Sequence, residues 1–558
     1  MRRKNKIVKI LCFILGIPVA TVAIFAAIGV YLYCTADFMA PAVDIDLDRY
    51  ALRTDSDSVK ICDNATLSLN KYGLWEVKLQ GAPIERGAAY GVVCKELLEE
   101  QERAFVNQIH RLIPSENWVK FLHELIIIFN RNMAKYIPQE YREEIYAMSL
   151  SCTHQYDSYS SPYTRQLNYH AAHDIGHAMQ QYMLVGCSSF ALWNGESEDN
   201  SLVMGRNFDF YVGDEFAQNK VVLMVTPEDG YKFISVSWPG MMGVVSGMNE
   251  KGLTVTINAS KGAIPISSSM PISLLARHIL QYASTISEAY EIARQFNTFV
   301  SESLLIGSAK DGYAAIIEKT PLQMALFKAP GNRIICTNHY QSDVFASDEY
   351  NLDNIANSDS PYRWERINEL LDEYAPIDAT DAARVLRNRY GIGGRDIGIC
   401  NEKSINQFIA HHSVIFKPEE LRMWVSTSPW QLGEYVCYDL NQVFESGEFA
   451  PSYVMESLVM SEDAAQLENE YARAIAYRKQ YLELRQAIDE HKTVDESKIE
   501  EFIKNNPAYF QVYNTLGDYM LAIGNTGRAV EYWQSALLLE IPRAEEKEQI
   551  IKKINDND

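Results

Sequence analysis

The residues of this chain best suited to chemistry are a cysteine that opens one apolar run and an arginine and an aspartate that close the next. Gly186-Cys187-Ser188-Ser189-Phe190-Ala191-Leu192-Trp193 is followed by a polar turn, Asn194 to Asn200, and then by Leu202-Val203-Met204-Gly205-Arg206-Asn207-Phe208-Asp209. Apolar runs on both sides of Asn194-Gly195 predict a β-hairpin. Such a hairpin puts Cys187 at the start of one strand and Arg206 and Asp209 at the end of its partner. A thiolate attacks and a thiol does not, so a guanidinium that favours the anion and a carboxylate that orients a proton acceptor are the expected companions of a nucleophilic cysteine. The same pattern also admits a structural reading, a buried cysteine beside a surface Arg/Asp pair.

The elements that must position this hairpin follow from the periodicity on either side. Upstream, Gly81 to Gly91 leads into helical patterns over Val93–Leu112, Trp118–Met133, Arg142–Leu150 and Asn168–Leu184. His173 and His177 stand one helical turn apart in the last of these, a spacing that metal sites use, but no third ligand accompanies them and no metal or cofactor is expected. Downstream, strands are predicted at Lys220–Thr226, Tyr231–Trp238, Gly243–Met248 and Leu253–Asn258. Two helices follow, Ile272–Tyr282 and Ile286–Phe296, and then strands at Leu304–Ala309, Tyr313–Glu318, Gln323–Lys328 and Arg333–Thr337. Two more helices and a sheet segment over Ile409–Leu440 complete the unit. Strands, two helices and strands again predict an α+β fold of two stacked sheets with helices packed outside.

Four spaced motifs carry a family resemblance: Gly186-Cys187-Ser188-Ser189; Gly205-Arg206-Asn207-Phe208-Asp209; the turn Asn249-Glu250-Lys251-Gly252-Leu253 leading to Asn258; and Cys336-Thr337-Asn338. Together they resemble the N-terminal-nucleophile hydrolases of the choloylglycine hydrolase and penicillin V acylase group. The upstream helical block, with the Gly-Cys junction deep in the chain, is similar to the isopenicillin N acyltransferase family. The resemblance spans roughly Gly81 to Leu440 and implies a four-layer αββα fold. It implies Cys187 as nucleophile, Arg206 as support for its thiolate, Asp209 as holder of a new α-amino group, and Asn258 and Asn338 as oxyanion-stabilising positions. A further arginine is implied in Ser360-Pro361-Tyr362-Arg363-Trp364-Glu365-Arg366, where Arg363 and Arg366 both remain candidates. The activity implied is that of an amidohydrolase or acyltransferase working through an acyl-thioester on a small-molecule amide or acyl donor, after self-cleavage between Gly186 and Cys187. An α-amine with a pKa of about 7.7–8.0 can take the thiol proton, which lets one residue be nucleophile and base. The alternative from another class is a catalytically inactive scaffold.

Composition bounds the rest. The chain has 558 residues and a net charge of −22, and no basic cluster follows the first nine residues, so nucleic acid is not an expected partner. Arg2, Arg3, Lys4, Lys6 and Lys9 flank an apolar run from Ile7 to Tyr33. That length predicts an uncleaved transmembrane helix with the N-terminus in the cytoplasm and the catalytic domain outside it. Nine cysteines permit disulfides beyond Cys187, and the absence of a C-x-x-C pair excludes a zinc ribbon. Near the C-terminus, Tyr513, Leu516, Gly517, Gly524, Ala529, Trp533, Ala536 and Pro542 fit a tetratricopeptide-like helix-turn-helix unit, whose apolar face must pack on its own chain, on a protein partner or on a second copy. The expected divisions are a tail and anchor at 1–35, a tether at 36–70, a helical pro-segment or N-terminal part of the catalytic domain at 71–186, the αββα catalytic domain at 187–452 and an all-α segment at 453–558.

Overall fold

The computed structural model describes residues 27–36, 38–178, 184–445, 450 and 452–557. Its strands are, in chain order, β1 (Thr54–Asp55), β2 (Val59–Cys62), β3 (Ala65–Leu69), β4 (Trp75–Gly81), β5 (Leu184–Val185), β6 (Ser188–Asn194), β7 (Asn200–Phe208), β8 (Phe210–Tyr211), β9 (Val221–Pro227), β10 (Phe233–Ser237), β11 (Ser246–Asn249), β12 (Leu253–Ala259), β13 (Glu302–Ser308), β14 (Tyr313–Lys319), β15 (Met324–Phe327), β16 (Arg333–Cys336), β17 (His412–Lys417), β18 (Arg422–Ser426) and β19 (Tyr435–Asp439). One sheet of eleven strands runs β1-β2-β3-β4-β9-β10-β11-β12-β13-β14-β15, and one of six runs β16-β6-β7-β17-β18-β19. Neighbours in both are antiparallel except β4 and β9, which pair in parallel from Trp75↔Val221 to Gly81↔Pro227.

Side chains that alternate along the strands sort into three apolar layers, because successive residues of a strand face opposite sides. On β6, Ala191 and Trp193 enter the layer between the sheets, where they join Met204, Val222, Ile234 and Leu305. Phe190 and Leu192 face the other way, against helices α11 (Ser360–Tyr374) and α12 (Ala379–Leu386). The outer face of the large sheet is covered by α2 (Pro83–Val93), α5 (Gln139–Ser149), α8 (Ile272–Tyr282) and α9 (Ile286–Gln295). Helix, sheet, sheet, helix is the expected αββα order.

Several expectations need correction. Among the described residues no helix is long and apolar enough to cross a membrane. This overturns the expected N-terminal transmembrane helix and, with it, the single-pass placement of the catalytic domain outside the cytoplasm. A crossing helix needs about 20 consecutive apolar residues to span a hydrocarbon core of about 30 Å. Residues 7–26 of the apolar run lie outside the described residues. The segment read as a tether contains β1, β2 and β3, which extend the edge of the large sheet. Their brevity, and the Asp-Ser-rich turns between them, hide the alternation that a longer strand would display. The segment at 71–186 packs into the same body. Its β4 lies inside the large sheet, and Glu144 on α5 bonds Arg86 on α2 at 2.9 Å and Arg277 on α8 at 2.7 Å, all three buried. The cysteines described are free thiols.

Beyond α12 and β19 the chain ends in helices at Ala472–Asp489, Glu496–Asn505, Phe510–Ala522, Thr526–Leu537 and Ala544–Asn555. Gly517 takes the Trp533 indole at its Cα, where any side chain would collide with it. This segment docks on its own chain. Asn506 exchanges two 2.8 Å hydrogen bonds with the backbone of Ile399, and Lys403 pairs with Glu540 at 2.8 Å.

Candidate active site

The β6–β7 hairpin closes as expected, with Asn194 and Asn200 at φ 52° and 63°, a left-handed conformation that asparagine tolerates. Its register pairs Ser188 with Asn207 and Ser189 with Arg206. Cys187, one residue ahead of β6, therefore lies level with the end of β7, and the Gly186 N–H donates to the Asp209 carbonyl at 3.1 Å.

Arg206 crosses the gap between the sheets. Its Nη1 donates to the Val245 carbonyl at 3.1 Å and to Ser246 Oγ, and its Nη2 donates to the Ile257 carbonyl and to Cys187 Sγ, the last at 3.6 Å. The guanidinium lies 4.2 Å from the Phe208 ring centroid. Every group in this constellation is fully buried. Burial pushes the Cys187 thiol up, Arg206 and Arg363 oppose that rise, and Asp209 and Glu302 add to it. With Gly186 and Cys187 joined, the sulfur therefore rests protonated. Burial also lifts the Asp209 carboxyl to about 8, against the pull of Arg363 and Arg206. Neither Asp209 carboxyl oxygen has a hydrogen-bond partner among the described residues, which is costly for a buried group and suits a site that waits for a cation.

The outer helix layer supplies Arg363. From α11 its Nη1 donates to the Cys187 carbonyl at 2.7 Å and to Ser188 Oγ at 2.9 Å, its Nη2 to Asn338 Oδ1 at 2.7 Å, and its Nε to Asp359 at 3.2 Å. Arg366 points elsewhere and bonds Glu369 and Asn388. Of the two candidates, the fold brings only Arg363 to Cys187.

Asn258 and Asn338 both reach the site, with different capacity. The Asn258 amide donates to the Cys336 carbonyl at 2.9 Å and the Thr337 carbonyl at 3.2 Å, while its oxygen accepts from Ser189 at 2.9 Å. Both of its N–H groups are thus engaged in tying β12 to the end of β16. Asn338 donates once, to the Ala259 carbonyl at 2.7 Å, which leaves one of its two amide hydrogens for another acceptor. Arg363 on the amide oxygen assigns which way this side chain is turned.

The remaining histidines and apolar residues complete the surroundings. His173 Nδ1 lies 3.2 Å from Asp174, and His173 sits beside Phe208 and Phe210. The side chain of His177 lies outside the described residues, and no group of three or more metal-ligating residues is found among the described ones. A cleft lined by Leu98, Phe105, Phe210, Phe216, Trp238 and Met241 borders this cluster, since Phe210 and Trp238 stack on Phe208. Sequence reasoning missed Ser246 and His412. His412 Nε2 lies 2.8 Å from Ser246 Oγ, and the only trace of this in the sequence is the adjacent pair His411-His412 at the start of β17.

Residues 193–428 match the model of the family described as acyl-coenzyme A:6-aminopenicillanic acid acyl-transferase. Over that stretch the central part of this chain is similar to the acyl-transferase family. The matched stretch begins downstream of Cys187 and takes in Arg206, Asp209, Asn258, Asn338, Arg363 and Arg366. An uncharacterized protein of Archaeoglobus fulgidus is 23% identical over 401 residues, covering 64% of this chain. Protein dcd1B of Dictyostelium discoideum is 24% identical over 261 residues, covering 43%. The matches span 65% and 49% of those relatives' own lengths. Among solved structures, the Caenorhabditis elegans ortholog of N-acylethanolamine-hydrolyzing acid amidase shares 13% identity at a TM-score of 0.31, over 42% of this chain and 93% of its own. A variant of the conjugated bile acid hydrolase from Clostridium perfringens shares 13% at 0.32, over 46% and 92%.

Proposed function

We propose that this chain is a cysteine-type amide hydrolase or acyltransferase that activates itself by cutting the Gly186–Cys187 bond. One observation carries the reading. The Cys187 thiol lies 3.6 Å from the Arg206 guanidinium, beside a buried carboxylate, Asp209, whose oxygens have no partner among the described residues. In the intact chain Cys187 has no α-amine. Attack of Sγ on the Gly186 carbonyl moves the acyl group from nitrogen to sulfur as the thiol proton passes to the departing nitrogen, and water then releases the Gly186 carboxylate and regenerates the thiol. The new Cys187 ammonium is the cation that Asp209 lacks, and in its neutral form it is the base for the thiol. Gly186 has little room for a side chain, since a Cβ there would meet Gln407 Nε2 at 2.9 Å.

In the mature site, Arg206 favours the thiolate and Arg363 holds the Cys187 carbonyl. Asn338, with its unused amide hydrogen, is the better oxyanion donor of the two asparagines. Preorganised donors of this kind are worth about 3–4 kcal/mol each in other enzymes. The Cys187 thiolate attacks the substrate carbonyl, the α-ammonium protonates the leaving amine, and water or an acceptor amine resolves the thioester. The aromatic cleft beside Phe208 suits an apolar acyl portion.

Mass spectrometry of the purified protein tests this reading. The expected result is a fragment beginning at Cys187 that gains one acyl group at that residue when treated with an activated acyl donor, while Cys187→Ala stays a single, unlabelled chain. Intact protein that turns over substrate would remove the shared nucleophile and base. A panel of N-acyl amino acids, bile-salt conjugates and penicillins then sorts the acyl group and the leaving amine.

A further inference from the structure

Behind Arg206 runs a hydrogen-bonded chain that no motif announces. Arg206 Nη1 donates to Ser246 Oγ, Ser246 Oγ lies 2.8 Å from His412 Nε2, and His412 Nδ1 lies 2.9 Å from His411 Nδ1. The chain crosses between the sheets twice, from β7 to Ser246 on β11 and back to His412 on β17. All four side chains are fully buried.

Donor and acceptor rules give this chain one consistent direction. Arg206 only donates, so Ser246 Oγ accepts from it, and because His412 Nε2 is the one acceptor in reach of the Ser246 hydroxyl among the described residues, its own hydrogen turns there. His412 is then the tautomer protonated on Nδ1, which donates to His411 Nδ1. His411 carries its proton on Nε2, a nitrogen with no hydrogen-bond partner among the described residues and with the Trp238 ring 5.4 Å away. Both imidazoles must be neutral for this order to hold. Burial and the neighbouring cations do hold them so: His411 is pushed down to about 3 by burial, Lys220 and Arg206, and His412 is pushed down by burial, His411, Arg206 and Lys220.

Resting on the reading of Cys187 as nucleophile, we propose that Ser246 and His412 are positioning residues, which hold Arg206 Nη1 so that Nη2 stays directed at the Cys187 sulfur. Two backbone carbonyls, Val245 and Ile257, also bind this guanidinium, but a carbonyl accepts from a wide range of directions, whereas Ser246, oriented by His412, offers Arg206 only its remaining lone pairs. Without Ser246 the guanidinium is free to tilt toward those carbonyls and away from sulfur.

The test is the ionisation of Cys187 itself, read as the far-ultraviolet absorbance of its thiolate in difference against Cys187→Ala across a pH titration. The other titratable and charged groups that face the thiol, Asp209, Glu302, Arg363 and Cys336, are left unchanged in every variant. Ser246→Ala raises the midpoint by about one pH unit, the scale of a displaced neighbouring charge. Ser246→Thr, which keeps the hydroxyl, restores it. His412→Leu raises the midpoint, and His412→Gln, which keeps an acceptor, brings it back. The control is Arg206→Met. If Arg206→Met raises the midpoint and neither Ser246→Ala nor His412→Leu does, the positioning role is overturned while the nucleophile stands. If Arg206→Met leaves it in place, the thiolate role of Arg206 fails and the positioning role with it. Should His412→Leu not fold, the Ser246→Ala and Ser246→Thr pair decides alone.

Discussion

At the scale of single residues, Asp209 is fully buried with neither carboxyl oxygen hydrogen-bonded among the described residues. An unfolded chain sheds this proton near the usual aspartate value of 3.8, whereas the folded, uncut chain holds it to about 8. The native state therefore binds the proton more tightly, and the associated stability is complete below the unfolded value and is lost as pH rises through the folded one. The uncut variant Cys187→Ala is expected to lose melting temperature steadily between roughly pH 5 and pH 8. Adding Asp209→Asn should remove most of that slope, because the amide has no proton to give up. Differential scanning calorimetry of the two variants across this range checks the sign, and a slope unchanged by Asp209→Asn would transfer the effect to another group. In the cut protein an ammonium beside the carboxylate keeps it ionised, so the same slope should shrink.

At the scale of elements, helix α11 decides which arginine acts. Arg363 and Arg366 are three residues apart and share a helical face, yet one bonds the Cys187 carbonyl and the other a glutamate on its own helix. Arg363→Ala removes donors from Cys187, Ser188 and Asn338 together, and is expected to slow self-cleavage at least tenfold, a loss of about 1.4 kcal/mol or more of barrier lowering. Arg366→Ala should leave the rate within about threefold, since partly exposed ion pairs contribute little. Following the two bands on a denaturing gel over time separates these outcomes, and equal rates for the two variants would deny α11 its place in the site.

At the scale of the whole molecule, the cut should not part the chain. Strands β1 to β4 lie upstream of Gly186 and belong to the sheet whose other strands lie downstream. The Arg86–Glu144–Arg277 triad joins both sides in a buried site. The two fragments are expected to co-elute in size-exclusion chromatography and to separate only in denaturant. Glu144→Ala leaves two guanidiniums buried without their carboxylate, a change that typically costs about 3–5 kcal/mol, and should release the fragments at a lower denaturant concentration. Fragments that separate under native conditions would show that the parallel β4–β9 pairing does not hold them.

Local periodicity and turn chemistry made the central hairpin legible. Alternating side chains and Asn194-Gly195 place Cys187 level with Arg206 and Asp209, because a two-residue period and a turn between neighbouring strands need nothing from the rest of the chain. The order of strands and helices likewise sufficed for two sheets between helix layers. Short strands such as β1 and β2 were invisible, since two to four residues take their stability from the neighbours they pair with. The apolar N-terminal run suggested an anchor that no described helix supports. The choice of Arg363 over Arg366, the engaged amide of Asn258, and the Ser246 and His412 support behind Arg206 belong to tertiary structure alone. Each depends on contacts between segments far apart in sequence, 176 residues for Arg363 and Cys187 and 166 for Ser246 and His412, and only the packing of two sheets and a helix brings such groups within hydrogen-bond reach.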